Sequence, residues 1–309
     1  MGEPPVGVLL FFARSINKGD SEMRDYLGAV AALGLAVVAT PATAITWGAP
    51  DGNDHPNVVA LLFVQNGVGF FSCSGTLLTP YVVLTAGHCT EGGGEVNSVT
   101  YVRNDADIDA AIANELPGYP GVTAWLNATW VAGQAVPHPE FNDYAEFPNT
   151  FDIGLILLEQ PIYVAEYGAM PSGGQFDYLR KARGKISERQ ARVVGYGLQG
   201  RIPAFAGNDF VRYAATSAVT GLAVSSTIGE QNFKFTNNPG KGSGSGGTCS
   251  GDSGGPAFFI DPVTGAETNI VMAVNSYGIA PQCNGNDYQF RTDIDAAQDF
   301  VLPYLNFAP

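Results

Sequence analysis

Residues 249–256 read "CSGDSGGP", and this stretch decides how the rest of the chain is read. Its glycines let the backbone approach a ligand closely, and Ser253 sits among them as a candidate nucleophile. The core of the stretch, G-D-S-G-G, also fits the G-x-S-x-G turn on which α/β-hydrolases carry their serine. In those enzymes the histidine follows the serine in the chain. This chain has three histidines, His55, His88 and His138, and all precede Ser253. Counting alone therefore removes the esterase or lipase reading.

A serine needs a base, and the base needs an orienting carboxylate. His88 lies in "LTAGHC" (84–89), at the end of an apolar run and beside a cysteine. Asp152 opens "DIGLILL" (152–158), a run that is otherwise wholly apolar. Each has a bland explanation on its own: a capped core histidine, a strand-end aspartate, a turn serine. Together they supply the three groups that serine acyl transfer requires, in the chain order His88, Asp152, Ser253.

The segments around them are short apolar or alternating runs set between Gly, Pro and Asn clusters. "VVALLFVQ" (58–65), "FSCSGTLLT" (71–79), "YVVLTA" (81–86), "ARVVGYG" (191–197), "GGPAFFI" (254–260) and "NIVMAVNSYG" (269–278) read as strands. Many short strands with frequent turns imply a sandwich or barrel. One helix is expected beyond residue 44, over "DIDAAQDFVLPYL" (293–305). Residues 103–121 read as a surface insertion, and "NNPGKGSGSGG" (237–247) as a flexible loop. Its formal G-x-G-x-x-G (Gly242, Gly244, Gly247) precedes no helix and belongs to no βαβ unit, so it is not a nucleotide motif.

The 309 residues are 45% hydrophobic, enough to bury a sizeable core, and the net charge is −14. Such a charge repels nucleic acid and anionic membranes, and its plain consequence is solubility. The apolar run 27–39 is short for a bilayer span and suits the core of a signal peptide. The alternative is an uncleaved anchor. Ala42-Thr43-Ala44 has the small-x-small pattern of a cleavage site, which would free Ile45. Residues 1–44 are thus an N-terminal extension with a signal peptide, and translation from Met23 instead of Met1 would give a compact one. Secretion follows, with no membrane association after cleavage. "NAT" at Asn127 is a formal glycosylation sequon, relevant in a eukaryotic secretory pathway.

"LTAGHC", "DIGLILL" and "CSGDSGGP" resemble the three signature segments of the trypsin/chymotrypsin family of serine endopeptidases (peptidase S1). "FSCSGTLLTPYVVLTAGHC" resembles the hairpin leading to the family histidine, "ARVVGYG" the first strand of its second barrel, and "VNSYG" the strand that pairs with substrate. The likeness runs over about residues 45–305, and "FRTDIDAAQDFV" (290–301) is closer to bacterial secreted members. The resemblance implies an all-β fold: two packed six-stranded antiparallel β-barrels with a short C-terminal helix. The first barrel would span about 45–165 and the second about 190–295, within a protease domain at 45–309.

It also implies roles. Ser253 would attack the scissile carbonyl, His88 would shuttle its proton, and Asp152 would orient the imidazole. The amides of Gly251 and Ser253 would form the oxyanion hole. Ser276 would support Asp152, with a plain strand serine as the alternative. The implied disulfides are Cys73–Cys89 and Cys249–Cys283. The resemblance implies no cofactor, and the chain contains no C-x-x-C or H-E-x-x-H metal pattern. Partners would be protein or peptide substrates and protein protease inhibitors, acting on a monomer.

The specificity pocket would be lined by Gly247, Thr248, Ser276, Tyr277 and Gly278. Relatives that cut after Arg or Lys usually carry an aspartate six positions before the nucleophile, where this chain has Gly247. If Tyr288 points inward the pocket favours small side chains, and if Asp287 does, basic ones return; the expectation leans toward small or apolar residues. A freed Ile45 would fold inward and pair its ammonium with Asp252, although "ITWG" departs from the commoner I-V-G-G, and Ile45 starting a strand is the alternative. The rival to an active enzyme is a catalytically inactive relative that serves as a binding module.

Overall fold

The computed structural model describes residues 45–309 apart from 65–69, 93–94, 98, 182–184, 203–204, 208, 222–228 and 239–245. The expected signal peptide, its cleavage motif and Met23 lie outside the described residues, as do Gly242 and Gly244 of the rejected nucleotide motif. Among the described residues, no helix is long and apolar enough to cross a membrane.

Six strands build the first barrel: β1 (Val58–Val64), β2 (Phe70–Leu77), β3 (Val82–Thr85), β4 (Thr100–Arg103), β5 (Val131–Pro137) and β6 (Gly154–Leu158). They close in the ring order β1-β2-β3-β6-β5-β4. Six more build the second: β7 (Gln190–Gly195), β8 (Tyr213–Gly221), β9 (Asn232–Thr236), β10 (Pro256–Ile260), β11 (Glu267–Gly278) and β12 (Asn286–Arg291). Their ring is β7-β8-β9-β12-β11-β10, the same order counted from each barrel's first strand, with Ala49–Pro50 paired onto the start of β8. All pairings within the barrels are antiparallel. Among the described residues, closure leaves neither barrel a long unpaired sheet edge, which suits a chain this rich in apolar strands.

The apolar faces meet in two clusters. One fills the first barrel with Val59, Leu61, Val83, Leu84, Leu155 and Ile156, and it extends into the second through Tyr196, Phe258, Val274 and Phe290. The other fills the second barrel with Phe176, Val193, Phe233, Phe235, Ala257 and Met272. Because the first cluster crosses from one barrel to the other, the barrels share a core instead of merely touching. A site built at their junction therefore rests on packed β-structure from both sides.

The C-terminal helix is present as α3, at Asp295–Val301, where Ala297, Phe300 and Val301 are buried. The stretch 103–121, read as a surface insertion, carries helix α1 (Ile108–Glu115), and a second unexpected helix, α2 (Val122–Thr129), follows it directly. Asp107 caps the first by accepting from the Ala110 amide at 2.7 Å. Glu115 then receives both terminal nitrogens of Arg103 at 2.7 Å and the Trp125 indole N–H at 3.0 Å, which ties both helices to β4. Tertiary anchoring sustains two helices that are individually too short to persist alone.

Candidate active site

Strand β3 delivers His88 in a short 3-10 turn, Gly87–Cys89, and Asp152 lies two residues before β6. The two strands pair with Thr85 opposite Gly154, so their ends bring the side chains together. The Asp152 carboxylate is fully buried. It accepts the His88 amide at 2.8 Å and faces the imidazole Nδ1 at 2.9 Å. Ser276 Oγ from β11 and Tyr144 Oη, at 2.8 Å, also donate to it. Gly87 is required here: a Cβ would lie 2.9 Å from the Phe141 ring and 3.2 Å from Asp152 Oδ1.

These contacts set the electrostatics. Burial raises the Asp152 pKa, but the charge and hydrogen bond of His88, with Ser276 behind them, outweigh it and hold the carboxyl below its ordinary value. Burial likewise opposes protonation of His88, and the Asp152 charge and hydrogen bond overcome it, so the imidazole pKa lies above its ordinary value. The Nε2 edge of His88 makes no hydrogen bond among the described residues.

Ser253 comes from the other barrel, in the turn before β10. Its carbonyl accepts the Ser74 amide of β2 at 2.7 Å, and the next amide, Gly254, donates to Asn275 at 2.8 Å. Gly254 has φ +78°, and a Cβ there would lie 2.0 Å from Thr85 Oγ1 and 2.9 Å from the Ala86 nitrogen. Only glycine lets the serine turn pack so closely against the strand end that carries His88. Neither the Gly251 nor the Ser253 amide donates to any described residue, which leaves two N–H groups of one turn without an internal acceptor. Ser253 Oγ is not hydrogen bonded to His88.

Both disulfides form as the resemblance implied, Cys73–Cys89 beside His88 and Cys249–Cys283 beside Ser253. Cys73, His88 and Cys89 group together like metal ligands, but the two sulfurs are bonded to each other and offer no thiolate.

A pocket of about 160 Å³ opens beside Ser253 and is lined by Thr248, Asn275, Ser276, Tyr277, Gly278 and Asp287, among others. Four of the expected lining residues are there and Gly247 is not. A Cβ on Gly247 would fall 2.0 Å from Asn237 Oδ1, so Asn237 fills the place where a side chain at this position would go. The leaning toward small residues depended on Tyr288, and here the structure differs. Tyr288 stacks on Tyr277 with centroids 4.8 Å apart, while the Asp287 carboxylate lines the pocket and takes the Thr248 hydroxyl. Burial pushes the Asp287 carboxyl up to about 6, so it is mostly ionised at neutral pH, and no cation meets it among the described residues.

Ile45 and Asp252 are both fully buried but are not hydrogen bonded to each other. Ile45 packs into the second barrel's core, and Thr46 bridges to Gly247. Asp252 accepts the amides of Gly197 and Cys249 at 2.8 Å, and burial pushes its pKa up to about 7.

Sequence reasoning missed Tyr144 at the Asp152 carboxylate, and it missed the Asn237 side chain behind Gly247. Neither belongs to a motif.

The trypsin family model matches residues 48–301. A trypsin of Saccharopolyspora erythraea is 29% identical over 71% of this chain and 83% of its own length. Brachyurin of Leptuca pugilator is 24% identical over 83% of this chain and 96% of its own. Among solved structures, HL collagenase covers 86% of this chain and all of its own with a TM-score of 0.55; at 18% identity, that likeness supports the fold. The chain belongs to the trypsin family and is a serine-type endopeptidase.

Proposed function

We propose that Ser253, His88 and Asp152 hydrolyse peptide bonds through an acyl-enzyme. His88 Nε2 takes the proton as Ser253 Oγ attacks the scissile carbonyl carbon. The Gly251 and Ser253 amides receive the oxyanion, where one such donor contributes ~3 kcal/mol. Collapse breaks the C–N bond, and His88 returns the proton to the leaving amine. Water, activated by the same imidazole, then cleaves the ester. The observation that carries this reading is His88 itself: Nδ1 is held by a buried carboxylate at 2.9 Å while Nε2 stays open.

The test is covalent labelling by a fluorophosphonate. Wild type should label and Ser253→Ala should not; equally poor labelling of both would return the chain to the inactive, binding-module reading.

The finer proposal concerns substrate. A buried, ionised Asp287 inside the pocket favours a basic side chain at the cleavage site, contrary to the leaning toward small residues. On a peptide library, cleavage should concentrate after Arg and Lys, and Asp287→Asn should lower it by about 10²-fold or more. Cleavage confined to small or apolar residues in wild type would sink this.

The proposal extends to processing. Export with cleavage after Ala44 would free an Ile45 ammonium, and Asp252, a buried carboxylate with only amide partners, is the group it would pair with. The apolar run 27–39 and two disulfides support secretion. Protein substrates, protein inhibitors and a monomeric state complete the reading.

A further inference from the structure

Tyr144 occupies the loop between β5 and β6, and its hydroxyl touches both partners of the dyad. It lies 2.8 Å from Asp152 Oδ2, 2.9 Å from His88 Nδ1 and 3.5 Å from the Ser276 carbonyl. Its ring is held edge-on between Phe141 (5.9 Å) and Tyr277 (6.0 Å). The backbone pays to put it there: Asp143 and Tyr144 both adopt left-handed φ, +54° and +64°, which residues with a Cβ rarely do in succession.

We infer that Tyr144 is a positioning residue that sets the pH at which His88 becomes a free base, by donating its hydroxyl to Asp152. This rests on reading His88 as the base. A carboxylate stabilises a neighbouring imidazolium in proportion to the charge it keeps. Each donor on Asp152 takes a share of that charge, and Tyr144 adds one beside those of His88 and Ser276. Burial, followed by the charge of Asp152, drives the phenol's own ionisation well above its ordinary range, so it remains a donor wherever the enzyme works.

The other titratable groups facing the dyad are Asp143, whose charge also favours the imidazolium, and the Tyr277 phenol; Glu91 lies within the field of Asp143.

The experiment is the pH profile of kcat/KM for wild type and Tyr144→Phe, with 15N-histidine NMR titration of the same pair in a Ser253→Ala background. Three histidines give three resolvable titrations. Phenylalanine keeps the ring packing and removes the hydroxyl, with its donation to Asp152 and its contact with His88 Nδ1. Asp152 then holds more charge, and the acid limb and the His88 titration both move to higher pH by roughly half a unit, with KM unchanged. A purely structural tyrosine would move neither.

Superimposed limbs and titrations overturn the inference. Retained labelling of Ser253→Ala would instead overturn the triad reading beneath it. If Tyr144→Phe does not fold, a fluorotyrosine at 144 keeps the ring and strengthens the donor, and the limb should move to lower pH. Movement to higher pH, or no movement, overturns the inference there as well.

Discussion

Two histidines in this molecule hold an aspartate through Nδ1, His88 with Asp152 and His55 with Asp51. At His55 the second ring nitrogen is occupied by Glu267, and the ring stacks on Phe258 at 5.5 Å. Asp51 also takes Arg212 Nε at 2.7 Å, and that fully buried guanidinium reaches the carbonyls of Val58, Asn104 and Gly52 at 3.0 Å. Every polar edge is engaged, so this pair clamps the chain entering the first barrel to the start of β8 and to β11. At His88 the carboxylate is as well satisfied, but Nε2 is open. A His–Asp pair becomes a base where one nitrogen is left unused beside a nucleophile, and a clamp where both are bonded. A cavity of about 650 Å³ lies at the clamp, lined by His55 and Glu267 and by none of the three proposed catalytic residues.

The strongest way to break this comparison is to neutralise each aspartate in turn. Asp152→Asn should lower kcat/KM by about 10⁴-fold, whereas Asp51→Asn should leave it within about threefold once folded. The cost of the second change should appear in urea unfolding, at about 3–5 kcal/mol, because Arg212 loses its buried carboxylate. Equal losses of activity would erase the distinction.

A smaller effect sharpens it. Burial opposes protonation of His55, yet Asp51 and Glu267 together raise its pKa to about 9. A pKa raised in the folded state stabilises fully below the unfolded value near ~6.5 and is lost as pH rises through 9. Unfolding free energy should therefore fall by about 3 kcal/mol between pH 6 and pH 10. Glu267→Gln should shrink that fall, and a slope unchanged in the variant would mean that the clamp does not titrate.

The parts of the site legible in the sequence were those whose chemistry demands particular neighbours. Gly254 must be glycine to lie against Thr85, and Gly87 to lie against Phe141, so both stood inside readable motifs. Seven of the twelve barrel strands were visible because apolar runs ended at turn residues; β4, β5, β8, β9 and β12 were not singled out. The helices at 108–129 were not, since Pro117, Gly118, Pro120 and Gly121 fall among them and their support comes from Arg103 and Trp125.

The choice between Asp287 and Tyr288 depended on a register that shifts between Asn275 and Tyr277, placing Gly278 opposite Asp287 and Tyr277 opposite Tyr288. An irregularity of that kind leaves no mark in a single strand's pattern. Tyr144 and the Asp51–Arg212 pair were hidden for a related reason. A phenol in a loop, or partners 161 residues apart, acquire meaning only when the chain closes on itself.

The hydrogen bond from the Ser74 amide to the Ser253 carbonyl joins the serine's own peptide group to the opposite barrel. Neither half of the molecule owns the proposed reactive centre. Turnover is therefore a gauge of assembly: it ends when the halves part, even if each still keeps its strands. Heat inactivation of this protein should be read as the failure of a joint, with the melting of either barrel a separate event.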